Sequence, residues 1–316
     1  AETIALLKAK PVFVEIDSKT YNIDPSKIET AVTSKTKAIM AVDIFGHSAD
    51  MDALKSLANN HNLKIISDTA QSPGAFYHGE YAGTLADIGG YSLNYHKHMH
   101  TGEGGILVTN DDELADRMRL IRNHAEAVVG DKGVDNLNNM LGHNFRLGEI
   151  ECAIGIEQLK KLSTLVLMRQ KAAERLTQGL SNLRGLRLPT VKDGCTHAFC
   201  VYGMVLDVDL LGVSRELLVK ALEAEGVGLG LGYTNIHRLP MYQKKIAYGF
   251  HGFPWTFKES RNDISYKKGI CPNAEELHDK TFIGFGLCNH QLSDIDIDLI
   301  VSSFQKVWHN IRELRQ

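Results

Sequence analysis

Short apolar runs alternate with longer amphipathic ones through the first half of the chain. "PVFVEI" (11–16), "KAIMAVDIF" (37–45), "LKIISD" (63–68), "DIGGYSLN" (87–94) and "GGILVTN" (104–110) have the apolar, turn-bounded pattern of strands. Between them, "PSKIETAVTS" (25–34) carries Pro25 where a first helical turn accepts it. "DMDALKSLANNHN" (50–62) places Met51, Leu54 and Leu57 on one helical face, and "DELADRMRLIRNHA" (112–125) reads as a further helix. Strands separated by helices of about ten residues imply crossovers, and so a mainly parallel sheet covered on both faces.

The second half changes character. Residues 146–183 keep helical periodicity with few breakers and predict one or two long helices bridging two domains. Beyond them, "HAFCVYGMVL" (197–206) reads as a strand, and 214–227 and 294–315 as helices. The aromatic, weakly periodic stretch 233–257 reads as loop, more often binding surface than core. The expected architecture is α/β: a large domain over 1–162, then a bridging helix and a smaller α+β domain over 163–316.

Composition narrows the function classes. The chain has 316 residues, 43% of them hydrophobic, and a formal net charge of -3, with no basic block to meet a phosphate backbone. Nucleic acid is therefore not an expected partner, and neither is a membrane, because no apolar run approaches the ~18 residues that span a bilayer. No leader pattern opens the chain. The five cysteines are scattered and never spaced as C-x-x-C, which predicts reduced thiols in a cytoplasm, without a disulfide framework or a structural zinc site.

Chemistry concentrates at two predicted strand ends. In open α/β sheets ligands sit beyond the carboxyl ends of the strands. Asp68 closes "LKIISD", and Lys97 follows 87–94 in "NYHKHMHTGEGG" (94–105). That stretch supports two readings: a metal site from His96, His98 and His100, or a functional Lys97. The pairing of Asp68 with Lys97 favours pyridoxal phosphate (PLP), which needs a lysine as its covalent anchor and a carboxylate to keep its pyridine nitrogen protonated. Gly102, Gly104 and Gly105 match neither a nucleotide phosphate loop nor a dinucleotide fingerprint. Hydroxyls such as Ser92 are the available phosphate partners.

Four ordered segments carry a resemblance: "KPVFVEIDSKTYNIDPSKIETAVTSKTKAI", "DTAQSPGAFYHGEYAGTLADIGGYSL", "KHMHTGEGGILVTNDDELADRMRLIRNHA" and "HNFRLGEIECAIGIEQLKKL". Together they resemble the sugar aminotransferase family named DegT/DnrJ/EryC1/StrS. The likeness is dense to about residue 162 and looser beyond. It implies the aspartate aminotransferase-like PLP fold. It implies Lys97 as the lysine that anchors the cofactor, Asp68 as the partner of the pyridine nitrogen, and Gln71 beside the ring's phenolic oxygen. Ser92 falls at the phosphate-binding serine, and Asn144 at an asparagine that reaches the phosphate of the neighbouring subunit's cofactor, which implies a homodimer with shared sites. Family dehydratases carry histidine in place of the lysine. Counting from Ser92 and back from Gly102 puts Lys97 at that position, which favours transamination and makes Lys97 the functional residue of the stretch. No fourth ligand accompanies the three histidines, so no metal is expected.

The resemblance begins partway through the family's first domain, after a stretch that carries a phosphate-binding turn and a ring-stacking aromatic. The expectation is a fragment with a weakened phosphate cup and exposed apolar surface. The expected reaction moves an amino group, by family analogy from glutamate, to a nucleotide-linked keto sugar in amino-sugar or cell-surface polysaccharide biosynthesis. His96 and His237 are candidate sugar-facing residues, together with the segment 248–255. The alternatives are a ketocyclitol aminotransferase or sugar dehydratase of the same family, and a protein that binds PLP or a sugar nucleotide without catalysis.

Overall fold

The structure, a computed structural model, describes residues 1–126, 140–246, 252–256 and 264–315. Strands β1 (Ala38–Val42) and β2 (Lys64–Asp68) are parallel neighbours. A short hairpin, β3 (Phe76–Tyr77) and β4 (Glu80–Tyr81), follows them. Then β5 (Ile88–Ser92) lies parallel to β2, and β6 (Gly105–Val108) lies antiparallel to β5. The sheet order is β1-β2-β5-β6. The reversal at β6 has a simple cause: a parallel partner needs a long crossover, and the loop 93–104 between β5 and β6 supplies none.

Helix Met51–His61 covers the β1–β2 face. The Asp50 side chain caps it by accepting from the Ala53 amide, and Asn62 ends it in the left-handed conformation at φ 53°. Its Met51, Leu54 and Ala58 pack on Ile39, Ala41 and Ile65 of the sheet, as the periodicity requires.

A second core lies under the C-terminal sheet β7-β8-β9 (Leu186–Arg187, Tyr202–Leu206 and Phe282–Phe285), which is antiparallel throughout. Helices Arg215–Ala224 and Asp294–His309 pack against it through Leu218, Leu222, Ile297 and Phe304. The predicted long helical region is one helix, Glu149–Leu180. Its last turns, Ala172, Ala173, Leu176 and Leu180, belong to this second core. Farther back, Val166 packs with Ala75, Ala82 and Ala198. A boundary at 162/163 therefore falls inside a continuous helix that serves both halves.

Two readings of the sequence need correction. Residues 11–16 form no strand; their one ladder contact is an antiparallel bridge from Ile16 to Ile23. Aromatic packing takes the place of a sheet partner. Phe13 meets Tyr242 and Tyr266 edge-on, and the Tyr266 hydroxyl donates to the Pro11 carbonyl at 2.8 Å. The aromatic loop 233–257 is also partly core. Tyr242 and Trp255 are buried, and the Trp255 indole donates to Tyr266 at 3.2 Å. Residues 247–251 and 257–263 lie outside the described residues.

Apolar surface is exposed at one side of the sheet. Leu107 on β6 is 60% exposed and Ile150, at the start of the long helix, 75%.

The second core generates a contrast between neighbours. Leu218 is fully buried and Leu217 is 38% exposed on the same helix. Leu218→Ala is expected to lower unfolding stability by about 2–5 kcal/mol, and Leu217→Ala by less than about 1 kcal/mol. Urea denaturation of the two variants checks this.

Candidate active site

The carboxyl ends of β1, β2 and β5 come together at one edge of the sheet. Asp43, just past β1, is fully buried and accepts from the Ala49 amide at 2.8 Å, the Ser67 hydroxyl at 2.8 Å and the Thr69 hydroxyl at 2.7 Å. The Asp43 amide donates to the Asp68 carbonyl at 2.9 Å, and the Ser72 hydroxyl to the Asp43 carbonyl at 2.7 Å. Burial raises the Asp43 carboxyl above the ordinary aspartate range, against the pull of those three donors. The effect on the backbone is plain: both residues flanking Asp68 are tied to a fixed group.

Asp68 emerges from that clamp half-buried. One carboxylate oxygen accepts from the Ala70 amide at 3.2 Å, and among the described residues no donor engages the other. Gln71 is held at both ends of its amide: Oε1 accepts from the Phe45 amide at 2.7 Å, and Nε2 donates to the Tyr233 hydroxyl at 3.0 Å. Phe45 is left-handed at φ 60° and stacks on Tyr233 and Phe282. Tyr233 thereby brings the second half of the chain to the edge of the first.

Lys97 rides on the loop 93–104, which is closed on itself. The Leu93 amide donates to the Gly104 carbonyl at 2.9 Å, the Thr101 amide to the Leu93 carbonyl at 3.0 Å, and the Lys97 amide to the Asn94 carbonyl at 3.0 Å. The Asn94 side chain donates to Glu103 at 2.7 Å across the loop neck. Gly104 sits at φ 149°, and a Cβ there would lie 3.0 Å from Leu147, so the neck accepts no side chain. Ser92, at the end of β5, accepts from the Asn94 amide at 3.2 Å and keeps its own proton to donate. The Lys97 ammonium is half-buried and makes no hydrogen bond or ion pair among the described residues.

The three histidines of this loop do not gather. His96 is exposed against Tyr95, His100 is half-buried, and His98 turns inward. Burial holds the His98 imidazole down at about 4, against the hydrogen bond its ring donates to the Ala198 carbonyl, so the ring is neutral near pH 7. His237 is not open to a ligand. It is buried with its Nε2 2.9 Å from Glu275 and its ring against Phe13. The cause is local: Glu275 also accepts from the Gly269 amide, so imidazole and carboxylate tie two loops together. Of the segment 248–255, the described part is Gly252–Trp255, and Trp255 belongs to the aromatic core.

Asn144 is exposed and bridges Asn123 at the end of helix Asp112–Arg122, with no contact to Lys97 or Asp68 among the described residues. Asp43, Phe45 and Tyr233 are site-building residues that sequence reasoning missed. Asp43 had a visible signal, a carboxylate at the end of an apolar run; Tyr233 had none, since its partner is 162 residues away.

These residues fit pyridoxal phosphate. An unengaged amine, a carboxylate with one open oxygen, a clamped glutamine amide and a strand-end hydroxyl are the donor and acceptor set that the cofactor asks for.

Comparison with known proteins identifies the family. Residues 1–279 match the DegT/DnrJ/EryC1/StrS aminotransferase family. The spore coat polysaccharide biosynthesis protein SpsC of Bacillus subtilis is 34% identical over 84% of this chain and 70% of its own length. A DegT/DnrJ/EryC1/StrS aminotransferase structure from Brucella abortus superposes with a TM-score of 0.80 at 27% identity, over 97% of this chain and 75% of that one. The E. coli GDP-4-keto-6-deoxy-D-mannose-3-dehydratase, solved with bound hydrated PLP, gives 0.74 at 28% identity, over 92% and 73%.

The clamp at Asp43 is testable apart from activity. Asp43→Ala leaves three buried donors without an acceptor, at about 1–3 kcal/mol each, so a loss of at least about 3 kcal/mol is expected. Asp43→Asn keeps one amide oxygen and faces hydroxyls that can turn, so its loss is expected to be smaller. Denaturation midpoints of the two variants decide.

Proposed function

The chain belongs to the DegT/DnrJ/EryC1/StrS aminotransferase family, and we propose that it transfers an amino group from glutamate to a nucleotide-linked keto sugar on the way to an amino sugar of a surface polysaccharide. The family is PLP-dependent, and this chain is a transaminase. The acceptor reading is supported by the relatives: one serves polysaccharide biosynthesis in its host, and another acts on a GDP-linked keto sugar. The observation that carries the reading is Lys97 itself, an amine with no hydrogen bond or ion pair among the described residues, on a pinned loop that leaves the end of β5, where a dehydratase of the family would carry histidine.

When bound, pyridoxal phosphate supplies an electron sink next to the carbon that exchanges its amino group. The chain's own residues do the rest. Asp68 would hold the proton on the ring nitrogen through its open carboxylate oxygen. Gln71 would position the ring through its clamped amide, and Ser92 would donate to the phosphate. Lys97 would hold the cofactor covalently and, as a free amine, would move a proton at the reacting carbon as general base and then acid. Orientation comes from the closed loop, whose backbone bonds fix where the amine starts.

We place the reaction in the cytoplasm and in a homodimer. All five cysteines are free, and no described helix is long and apolar enough to cross a membrane. Asn144 stands exposed beside Asn123, with no contact to Lys97 among the described residues, which agrees with a residue serving a neighbouring subunit's cofactor.

The test is spectroscopic. With added pyridoxal phosphate the chain is expected to show an absorption band of lysine-bound cofactor, which fades when glutamate is added and returns with an accepted nucleotide-linked keto sugar. Lys97→Ala is expected to lose the band and to lower turnover by at least about 10²-fold, the lower end of what a positioned acid–base contributes. Full turnover by Lys97→Ala, or a band indifferent to every amino donor, would overturn the reading in favour of a passive binder. Return of the band with a ketocyclitol alone would move the acceptor to that class.

A further inference from the structure

Behind Lys97 three separate segments meet at sulfur and nitrogen atoms. The loop 93–104 contributes His98, the stretch leading into β8 contributes Cys200, and the turn after β9 contributes Cys288. Among the described residues these are the three whose ligand atoms cluster, all lying within 4.8 Å of one another. His98 is 2% exposed and Cys200 is buried as well.

The backbone holds the three in place. The Cys288 amide donates to the Cys200 carbonyl at 3.2 Å, and the Ala198 amide to the Gly46 carbonyl at 2.7 Å. Gly46 has no room for a Cβ, which would meet the Phe199 amide at 2.5 Å, so the stretch 197–201 seats directly on the turn after β1. His98 is fixed from the other side. Its Nε2 lies 2.8 Å from the Ala198 carbonyl oxygen, which only accepts, so Nε2 carries the proton and Nδ1 keeps its lone pair. That free Nδ1 is 3.3 Å from the Cys288 sulfur. A ring nitrogen oriented by a carbonyl behind it is the usual preparation of a metal-ligating histidine.

We infer that His98, Cys200 and Cys288 form a binding site for a zinc-class cation. The spacing is within reach of it: with metal–nitrogen and metal–sulfur bonds of about 2.0 and 2.3 Å at tetrahedral angles the two ligand atoms stand about 3.5 Å apart, and the Cys288 sulfur, 3.3 Å from Nδ1 and 3.6 Å from Nε2, needs a side-chain rotation to meet the Nδ1 lone-pair direction. The ligand set suits it too, since thiolate and imidazole select zinc over magnesium or calcium. Binding releases the two thiol protons to solvent, and two thiolates then neutralise the divalent charge. That neutrality matters, because Lys97 and Arg169 are the cationic groups facing the cluster. Arg169 donates to the Cys288 carbonyl at 3.5 Å, and its Nε and Nη1 are buried without a partner among the described residues. Three protein ligands leave a fourth position for water. A bound ion would staple the loop of Lys97 to both strands of the C-terminal sheet that approach it.

The experiment uses reduced, cofactor-free protein, so that neither a disulfide nor PLP absorbance interferes. Calorimetry with zinc is expected to give one equivalent bound with release of about two protons, and cobalt to give thiolate charge-transfer and tetrahedral visible bands. Cys288→Ser and His98→Gln are each expected to weaken binding by more than the 10–100-fold that loss of an outer-shell partner costs. Cys152→Ser and Cys195→Ser should bind as the parent does, and magnesium should not compete. The inference falls if no zinc equivalent binds, or if Cys288→Ser and Cys200→Ser bind as tightly as the parent, which would place the metal elsewhere. Should Cys200→Ser fail to fold by circular dichroism, the half-buried Cys288 decides alone.

Discussion

The buried carboxylate of Asp43 is the constraint on which the site depends. It accepts from a backbone amide and two hydroxyls, and its own backbone holds both Asp68 and Ser72. A buried carboxylate without those donors would be costly; with them it locks the ends of β1 and β2 into one register. Asp68 inherits its position from that lock, and so does the turn at Phe45–Gly46 on which the second half of the chain rests. The edge that carries the candidate site is thus built from a polar core group rather than from apolar packing alone.

Two further ties carry the geometry outward. The closed loop 93–104 replaces a crossover helix, which reverses β6 and fixes the backbone of Lys97 just beyond the end of β5. The stretch 197–201 lies on the Phe45–Gly46 turn and meets His98, so hydrogen bonds join the C-terminal half to the lysine loop. The anchoring and proton transfer proposed for Lys97 and the inferred metal site would share this junction. A shift at any of its three segments would be felt by the other two.

Much of this was legible along the chain because its physical cause is local. Helix Met51–His61 announces itself through an apolar face and a capping Asp50, and the long helix Glu149–Leu180 through the absence of breakers. Lys97 and Asp68 were legible as strand-end groups. Residues 11–16 misled because an apolar alternating run predicts burial but not its partner; Phe13 found aromatic rings rather than a neighbouring strand. His237 misled for a similar reason, since nothing near it in sequence reveals Glu275. The Cys–His cluster was invisible: Cys288 and His98 are 190 residues apart, and only the folded chain brings them within 3.3 Å.

The most direct test of the account is to reduce the protein with borohydride in the presence of pyridoxal phosphate, digest it, and find the modified lysine by mass spectrometry. The account predicts a single stoichiometric adduct on Lys97, in the peptide that runs into "TGEGG". An adduct spread over surface lysines, or fixed on a different one, would contradict it.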